Sequence, residues 1–416
     1  MSALREKNVA ASTAQGSAAA VYAVAAFPTV ASIPVAVTRL TLTDFRCYAG
    51  LRMDVDRRPV VLTGANGAGK TNLLEALSFL APGRGLRGVR LDQIGRQMKP
   101  ARDGGTPWAT AVTLTTPDGP IEMGTGLTAS ERRQTRSVHI NGQPAKGAGA
   151  MARHVGTLWL TPSMDRLFQD GPSSRRKFLD RLEVAFDADH AGRIAAYDHA
   201  YRQRLRLMRD GNGDAAWFAA LEDTMARHGM ALAAARHDLV ARLNRDLAAC
   251  TGPFPTATLA LVGTVDAWLN EMPAVDAEDA MRRSLWDERR GVMGAGAGPH
   301  RSDLGVAMTA LGHASHGQPA ALCSTGEQKA LLISILLAQA RLQRAKRGHA
   351  PLLLLDEVAA HLDENRRAAL FAEILRLGAQ AWMTGTDASL FHEFGESAQF
   401  YGVENGTVSR RSPPIF

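Results

Sequence analysis

An α/β fold interrupted by an all-helical insertion is what this sequence predicts. Three observations carry that expectation. Val60-Val61-Leu62 is a short apolar strand that runs into a glycine-rich stretch and then into a helix, with Leu73, Leu74, Leu77 and Leu80 at helical spacing. Leu352-Leu353-Leu354-Leu355 ends in Asp356-Glu357, the pattern of a strand buried on both faces. Between them, residues 173 to about 248 form long Ala-, Arg- and Leu-rich stretches with helical periodicity.

Residues 1–33 are Ala/Ser/Gly-rich after Arg5 and Lys7, so a signal peptide has to be considered. Ser12, Thr13, Gln15, Gly16, Ser17 and Pro28 break the apolar run, and the expectation is a disordered tail or an over-long start assignment. From Val35 the chain alternates. Val37, Leu40 and Leu42, then Leu51, Met53 and Val55, predict two strands around a turn at Ala49-Gly50. Pro82-Gly83 ends the first helix. Residues 106–145 predict antiparallel sheet, with turns at Pro117-Asp118-Gly119 and Asn141-Gly142. Residues 186–210 and 215–248 predict a helical hairpin turning at Gly211-Asn212-Gly213. Short strands and Gly-rich loops are expected over 253–313, then a helix over 326–347, a strand at 352–355 and a helix over 364–377.

Composition sets the class. The chain has 416 residues, 45% hydrophobic and 21% charged, which excludes a disordered protein, a collagen and a bare coiled coil. Lys plus Arg is 48 and Asp plus Glu 41, a net charge of +7. Such a balance suits an anionic partner, nucleic acid or a lipid surface, and it suits equally a genome that encodes Arg and Ala freely. Cys47, Cys250 and Cys323 are far apart, form no CxxC pair and point to a reducing, intracellular protein without a zinc site. No uncharged apolar run approaches the roughly 20 residues a membrane helix needs.

The chemistry starts at Gly64-Ala65-Asn66-Gly67-Ala68-Gly69-Lys70-Thr71, which fits G-x-x-x-x-G-K-[ST] between a strand and a helix. Glycines let successive N–H groups curl toward phosphates, and the helix N-terminus adds a favourable dipole. Lys70 would reach the β and γ phosphates of ATP, and Thr71 would offer its hydroxyl to Mg²⁺. Asp356, at the C-terminal end of its strand, would hold the Mg²⁺ water shell. Glu357 would orient or deprotonate a water. Cys323-Ser324-Thr325-Gly326-Glu327 opens a long apolar helix, either a simple N-capped start or a second phosphate site. A single subunit would not normally need a second γ-phosphate site. A facing subunit would, so Ser324 and Gly326 argue for two nucleotides sandwiched in a head-to-tail homodimer.

The order of these three motifs resembles an ABC-type ATPase of the SMC-like branch. Five further stretches are similar to the RecF family of bacterial DNA replication and repair proteins. These are Leu40–Tyr48 with its Phe45-Arg46-Cys47-Tyr48, Asn72–Leu77, Val138-His139-Ile140-Asn141-Gly142, Gly171–Asp180 and Gly298-Pro299-His300-Arg301-Ser302-Asp303-Leu304. The resemblance runs from about residue 38 to the C-terminus.

It implies a P-loop ABC-type ATPase head, mixed sheet plus antiparallel β-arm, from residues 34–172 and 297–416. A mostly helical insertion, residues 173–296, forms the second lobe. It also implies a cytoplasmic protein of recombinational repair and the SOS response. That protein dimerises on ATP, binds duplex, gapped or junction DNA and works with RecO/RecR-like partners. Its slow ATPase resets the dimer. Asp363 matches the loop that contacts the opposing subunit, and Arg46 matches an Arg near the phosphates. The sequence departs from the wider pattern at three places, one being a segment before Gly298 richer in Gly and Ala than the family's. Thr386 stands near the position of the usual γ-phosphate histidine, and Ser163 stands where a Gln or Glu is expected.

Two basic clusters, Arg175, Arg176, Lys177 and Arg181, then Arg202, Arg204, Arg206 and Arg209, are candidate DNA-phosphate contacts or solvated helix faces. Arg175, Arg176, Lys177, Arg202 and Arg206 are the named candidates. Without interleaved aromatics, duplex or junction DNA fits better than stacked single strand. His300 and Arg301 are expected to tie the lobes together, with Pro-His-Arg-x-Asp forming its own ion pair. An SMC-like structural chromosome protein and a transporter ATPase are the competing readings. The first lacks its long heptads and the second any membrane-partner motif.

Overall fold

The computed structural model describes residues 34–96, 106–127, 136–211, 214–309 and 317–414. The expected tail at 1–33 and the Asn212-Gly213 part of the hairpin turn lie outside them.

The chain opens with β1 (Ala36–Phe45) and β2 (Tyr48–Asp54), an antiparallel hairpin in which Phe45 pairs with Tyr48. The turn is therefore at Arg46-Cys47, and Ala49-Gly50 lies inside β2. The glycine signal pointed to the wrong pair because Arg46 takes φ 54° without being a glycine. Surrounding contacts must hold such a residue, and Arg46 N–H donates to the Ile94 carbonyl at 3.0 Å.

Next come β3 (Val60–Thr63) and α1 (Lys70–Ser78), then the antiparallel arm of β4 (Trp108–Thr116), β5 (Gly119–Leu127), β6 (Arg136–Ile140) and β7 (Gln143–Pro144). These make a sheet in the order β2-β1-β4-β5-β6-β7. The β6–β7 turn has Asn141 at φ 49° and Gly142 at φ 76°, the two positive angles a type I′ hairpin requires.

A single helical turn, α2 (Gly149–Ala152), leads to β8 (Thr157–Leu160), after which α3 (Pro172–Phe186), α4 (His190–Asp210) and α5 (Ala215–Ala249) form the helical region. Here the structure corrects one expectation. Between β9 (Thr256–Val262) and β10 (Asp303–Thr309) stand two helices, α6 (Thr264–Glu271) and α7 (Ala274–Arg289), rather than strands and loops alone. In α7 only Ala277, Met281 and Leu285 are buried, a stripe too narrow to stand out among its charges.

The remainder is β11 (Gln318–Pro319), α8 (Thr325–Arg347), β12 (Leu352–Leu355), α9 (Glu364–Leu377), β13 (Ala381–Gly385), β14 (Gln399–Glu404) and β15 (Thr407–Arg411). The predicted helices and strand here agree with the structure to within a residue.

The central sheet runs β15-β14-β3-β13-β12-β8. Strands β14, β3, β13, β12 and β8 are joined by four parallel pairings, and β15 is an antiparallel edge. All four leucines of β12 are buried, as a strand covered on both faces must be. This sheet brings the C-terminal ends of β3 and β12 to one edge, although more than half of the chain separates them.

Two apolar cores form. The larger holds the central sheet, α1, α8 and α9, and reaches into the helical region through Phe178, Leu179 and Leu182 of α3 and Leu239, Leu243 and Leu247 of α5. The smaller gathers Tyr197, Met225, Met230, Met281 and Leu285 from α4, α5 and α7. Among the described residues, no helix is long and apolar enough to cross a membrane.

Candidate nucleotide site

Residues 64–69 connect β3 to α1 as the glycine-rich loop. Gly64 (φ 148°) and Gly69 (φ 116°) take angles that favour glycine. A Cβ on Gly64 would lie 2.2 Å from the Val403 carbonyl oxygen, and one on Gly69 would lie 2.8 Å from the Tyr48 hydroxyl. Both glycines are thus required by close approach as well as by backbone angle. Ala65, Asn66 and Gly67 are exposed at the tip, with Ala68 half-buried behind them.

Lys70 is buried, and its Nζ donates to the Gly64 carbonyl at 2.6 Å and the Ala65 carbonyl at 2.9 Å. Burial pushes its pKa down, while Glu357 and Asp356 oppose the shift. The ammonium is folded onto the loop that an anion would enter. Thr71 Oγ1 donates to Asp356, 2.9 Å from Oδ1 and 3.2 Å from Oδ2. This contact joins two motifs that sequence alone could only pair by type. Hydroxyl and carboxylate are hard oxygen ligands of the kind Mg²⁺ takes. Among the described residues no three His, Cys, Asp or Glu side chains gather into a metal cage. A cation between Thr71 and Asp356 would therefore complete its shell from phosphate oxygens and water, which is how Mg²⁺ is usually held.

Thr384, fully buried on β13, was not singled out by the sequence. Its Oγ1 donates to Asp356 Oδ1 at 2.7 Å and accepts the Glu357 N–H at 2.8 Å. Thr386, near the position of the usual histidine, is exposed past the end of the strand. The available signal was Thr384's place as the one hydroxyl in the apolar run Ala381–Gly385. Glu357 itself holds φ 50°, an uncommon conformation for a side chain of its size. At the expected Gln or Glu position, Ser163 Oγ is 2.8 Å from Thr161 Oγ1.

Arg46, at the β1–β2 turn, forms a bidentate pair with the fully buried Glu75 of α1, at 2.8 and 2.6 Å. Arg87 also reaches Glu75, at 2.9 Å, and Asn72 of the same helix at 2.8 Å. Neither Glu75 nor Arg87 was anticipated.

Ser324 caps α8 by a capping box. Its N–H donates to Glu327 Oε2 at 2.8 Å, and its Oγ accepts from the Glu327 N–H at 3.4 Å. Ser324 is exposed, and a Cβ added to Gly326 would meet nothing within 4 Å. Packing within this chain does not call for glycine there. Asp363 caps α9 by accepting the Arg366 N–H at 2.9 Å.

The similarities to known proteins agree with this geometry. Residues 36–409 match the family described as "RecF/RecN/SMC N terminal domain". The protein of Mesorhizobium japonicum named "DNA replication and repair protein RecF" is 48% identical over 377 residues, 89% of this chain and 97% of that one. This chain belongs to the RecF family. The namesake of Rhizobium etli is 47% identical over 90% of this chain and 98% of its own. The fold is shared with a solved structure described as "the recombination mediator protein RecF-ATPrS in RecFOR pathway". That match has a TM-score of 0.75 and 18% identity, over 92% of this chain and 99% of the other. An SMC head domain from Pyrococcus furiosus aligns with a TM-score of 0.50 at 14% identity, over 91% of this chain and 96% of that one.

The RecF-like Arg-Arg-x-Phe-Leu-Asp and Gly-Pro-His-Arg stretches turn out to fasten the fold. Arg175 pairs with Asp303 at 2.7 and 2.8 Å, and Arg176 donates to the Ser302 carbonyl at 2.6 Å. Arg236 holds Asp180 at 2.8 Å through two nitrogens and donates to the Pro299 carbonyl at 2.8 Å. Tyr197 OH and His300 Nδ1 are 2.6 Å apart. Burial and neighbouring guanidiniums push the His300 pKa down to about 4. Asp303 thus pairs with Arg175 and not with Arg301, whose guanidinium reaches Glu288 at 3.0 Å. Arg204 is fully buried on Glu222 and Glu288. Of the named DNA candidates, Lys177, Arg202 and Arg206 are exposed, whereas Arg175 and Arg176 are half-buried in internal contacts.

Proposed function

We propose that this chain is an ATP-dependent DNA-binding protein of replication and recombinational repair, switched by nucleotide. The observation that carries the reading is the Thr71–Asp356 contact, with Lys70 and Glu357 beside it. Lys70 would leave the Gly64 and Ala65 carbonyls for the β and γ phosphates of ATP. Thr71 and Asp356 would hold Mg²⁺, which neutralises phosphate charge. Glu357 would act on the attacking water as general base. The names of the relatives supply replication and repair, and the solved structure described as RecF-ATPrS supports a nucleotide ligand.

The Ser324–Gly326 end of α8, with Ser324 and Thr325 exposed, supports a sandwich dimer, in which this end of one copy faces the nucleotide of the other and Asp363 touches the opposing subunit. The two apolar cores support a head of residues 34–172 and 297–416 and a helical lobe of 173–296, with α3 and the end of α5 seated in the head's core. Duplex, gapped or junction DNA, RecO/RecR-like partners and a cytoplasmic setting complete the proposal. The longest helix, α5 at 35 residues, packs on α4, α7 and α8, which weighs against a free coiled-coil arm of the SMC kind.

The test is nucleotide binding, sedimentation and DNA binding with and without ATP, on duplex, gapped and single-stranded DNA at two salt concentrations. Lys70→Ala should abolish nucleotide binding. Ser324→Arg should bind ATP as a monomer and fail to dimerise. A Ser324→Arg dimer with ATP would overturn the sandwich. DNA binding indifferent to ATP would overturn the switch.

A further inference from the structure

Two lysines are buried among the described residues, Lys70 and Lys329. The first belongs to the phosphate loop. Lys329 has no part in the nucleotide chemistry described so far. It lies in the second turn of α8, in the helix whose start is capped by Ser324. Only 3% of it is exposed, and its Nζ donates to the main-chain carbonyl of Glu357 at 3.2 Å. Burying an ammonium is costly, and a site that needed only volume would take Leu or Met.

What the lysine holds is unusual. Glu357 stands at φ 50°. Its N–H is taken by Thr384 Oγ1 at 2.8 Å and its C=O by Lys329. Both polar groups of this strained residue are thus gripped, one from β13 and one from α8. Release of the carbonyl would let the backbone relax toward an ordinary conformation and carry the carboxylate away from the edge where Asp356 and Thr71 meet. Burial pushes the Lys329 pKa down, while Asp165, Glu357 and Asp356 oppose the shift.

We propose that Lys329 is a positioning residue for Glu357. It fixes the peptide that aims the general base, and it ties that peptide to the helix whose exposed end would meet a second copy. The proposal rests on the reading of Glu357 as the base acting on water. Through α8, engagement of the Ser324 end by another copy's nucleotide would bear directly on the Glu357 of the same chain.

The experiment uses the full chain and four variants: Lys329→Met, Lys329→Arg, Glu357→Gln and the Lys329→Met/Glu357→Gln double. ATP affinity, KM, kcat and ATP-driven sedimentation are measured for each. Lys329→Met should lower kcat about tenfold or more, short of the roughly 10²–10⁴-fold of losing a general base because the base is displaced and not removed, and leave ATP affinity within about twofold. Lys329→Arg should restore most of the rate. In the Glu357→Gln background, Lys329→Met should change kcat by less than about twofold, since both act through one group. Equal losses of affinity and kcat, or additive losses in the double variant, would overturn the proposal. If Lys329→Met does not fold, Lys329→Gln is judged by the same split. If Glu357→Gln turns over ATP like the parent, it is the general-base reading that fails.

Discussion

Replacing Thr384 by valine removes one oxygen and keeps the shape. That oxygen makes two contacts in a fully buried place: it donates to Asp356 Oδ1 at 2.7 Å and accepts the Glu357 N–H at 2.8 Å. The bond to the carboxylate is charge-assisted, worth about 1.5–3 kcal/mol, and the stranded N–H costs about 1–3 kcal/mol. The added methyl returns part of this, so a net loss of about 2–4 kcal/mol is expected. Asp356 keeps the Thr71 hydroxyl, so the fold should survive. Denaturant unfolding of the parent, Thr384→Val and Thr384→Ser measures the loss directly. Serine retains the hydroxyl and should sit within about 1 kcal/mol of the parent, the worth of one buried methyl. In parallel, Thr384→Val should raise the Mg²⁺ concentration needed for half-maximal turnover, because the carboxylate loses a fixed donor. If valine is as stable as threonine, or serine is as damaging as valine, the hydroxyl is not what holds Asp356 and Glu357.

Arg204→Met should cost about 3–5 kcal/mol in unfolding experiments, because Glu222 and Glu288 lose their shared guanidinium. Adding Glu222→Gln and Glu288→Gln should recover most of that loss, and no recovery would show that Arg204 is needed for its packing and its bond to the Leu285 carbonyl and not for the two carboxylates. Glu183 gives a pH test: it is 3% exposed, and burial pushes its pKa up to about 7. The folded chain then binds this proton more tightly than the unfolded chain, whose carboxyl titrates near 4.5. Its contribution is fully present below the unfolded value and is lost as pH rises through the folded one. Glu183→Gln should therefore gain about 1–3 kcal/mol on the parent between roughly pH 5 and pH 8. Parallel stability curves for the two proteins would refute this.

Much of the site was legible because its motifs are local. The phosphate loop needs glycine where φ is positive and where backbone and side chains press close, and Gly64 and Gly69 meet both conditions. Four buried leucines ending in Asp-Glu read as a central strand because no polar residue interrupts them. What escaped depends on tertiary neighbours. Thr384 matters only because β13 lies beside β12, with Met383 opposite Leu355. Lys329 looked like one more polar residue early in a helix. Glu75 would pass as an ordinary helix former until Arg46 and Arg87 converge on it. The Arg46-Cys47 turn escaped for a related reason: its positive φ is imposed by contacts and not by glycine. Helix α7 escaped because three buried side chains leave too faint a period among its charges.

Arginine is where sequence and structure diverge most, and the divergence bears on function. Of the eight basic residues in the two clusters, Arg204 is buried, and Arg175, Arg176 and Arg181 are half-buried. Arg181 lies 4.6 Å from the Trp159 ring centroid and 5.6 Å from that of Phe178. A guanidinium suits such places because its planar fork can satisfy a carboxylate and a carbonyl together, as Arg236 does with Asp180 and Pro299. Arginine spent on fastening cannot also neutralise DNA phosphates. That leaves Lys177, Arg202, Arg206 and Arg209 facing outward. Each phosphate contact contributes about 0.9 to the slope of log affinity against log salt. Four such groups bound the share from these helices at roughly three to four per protomer. A much steeper slope would mean that basic residues outside these two clusters, such as the exposed Arg227, Arg245, Arg283 and Arg290, carry much of the DNA contact.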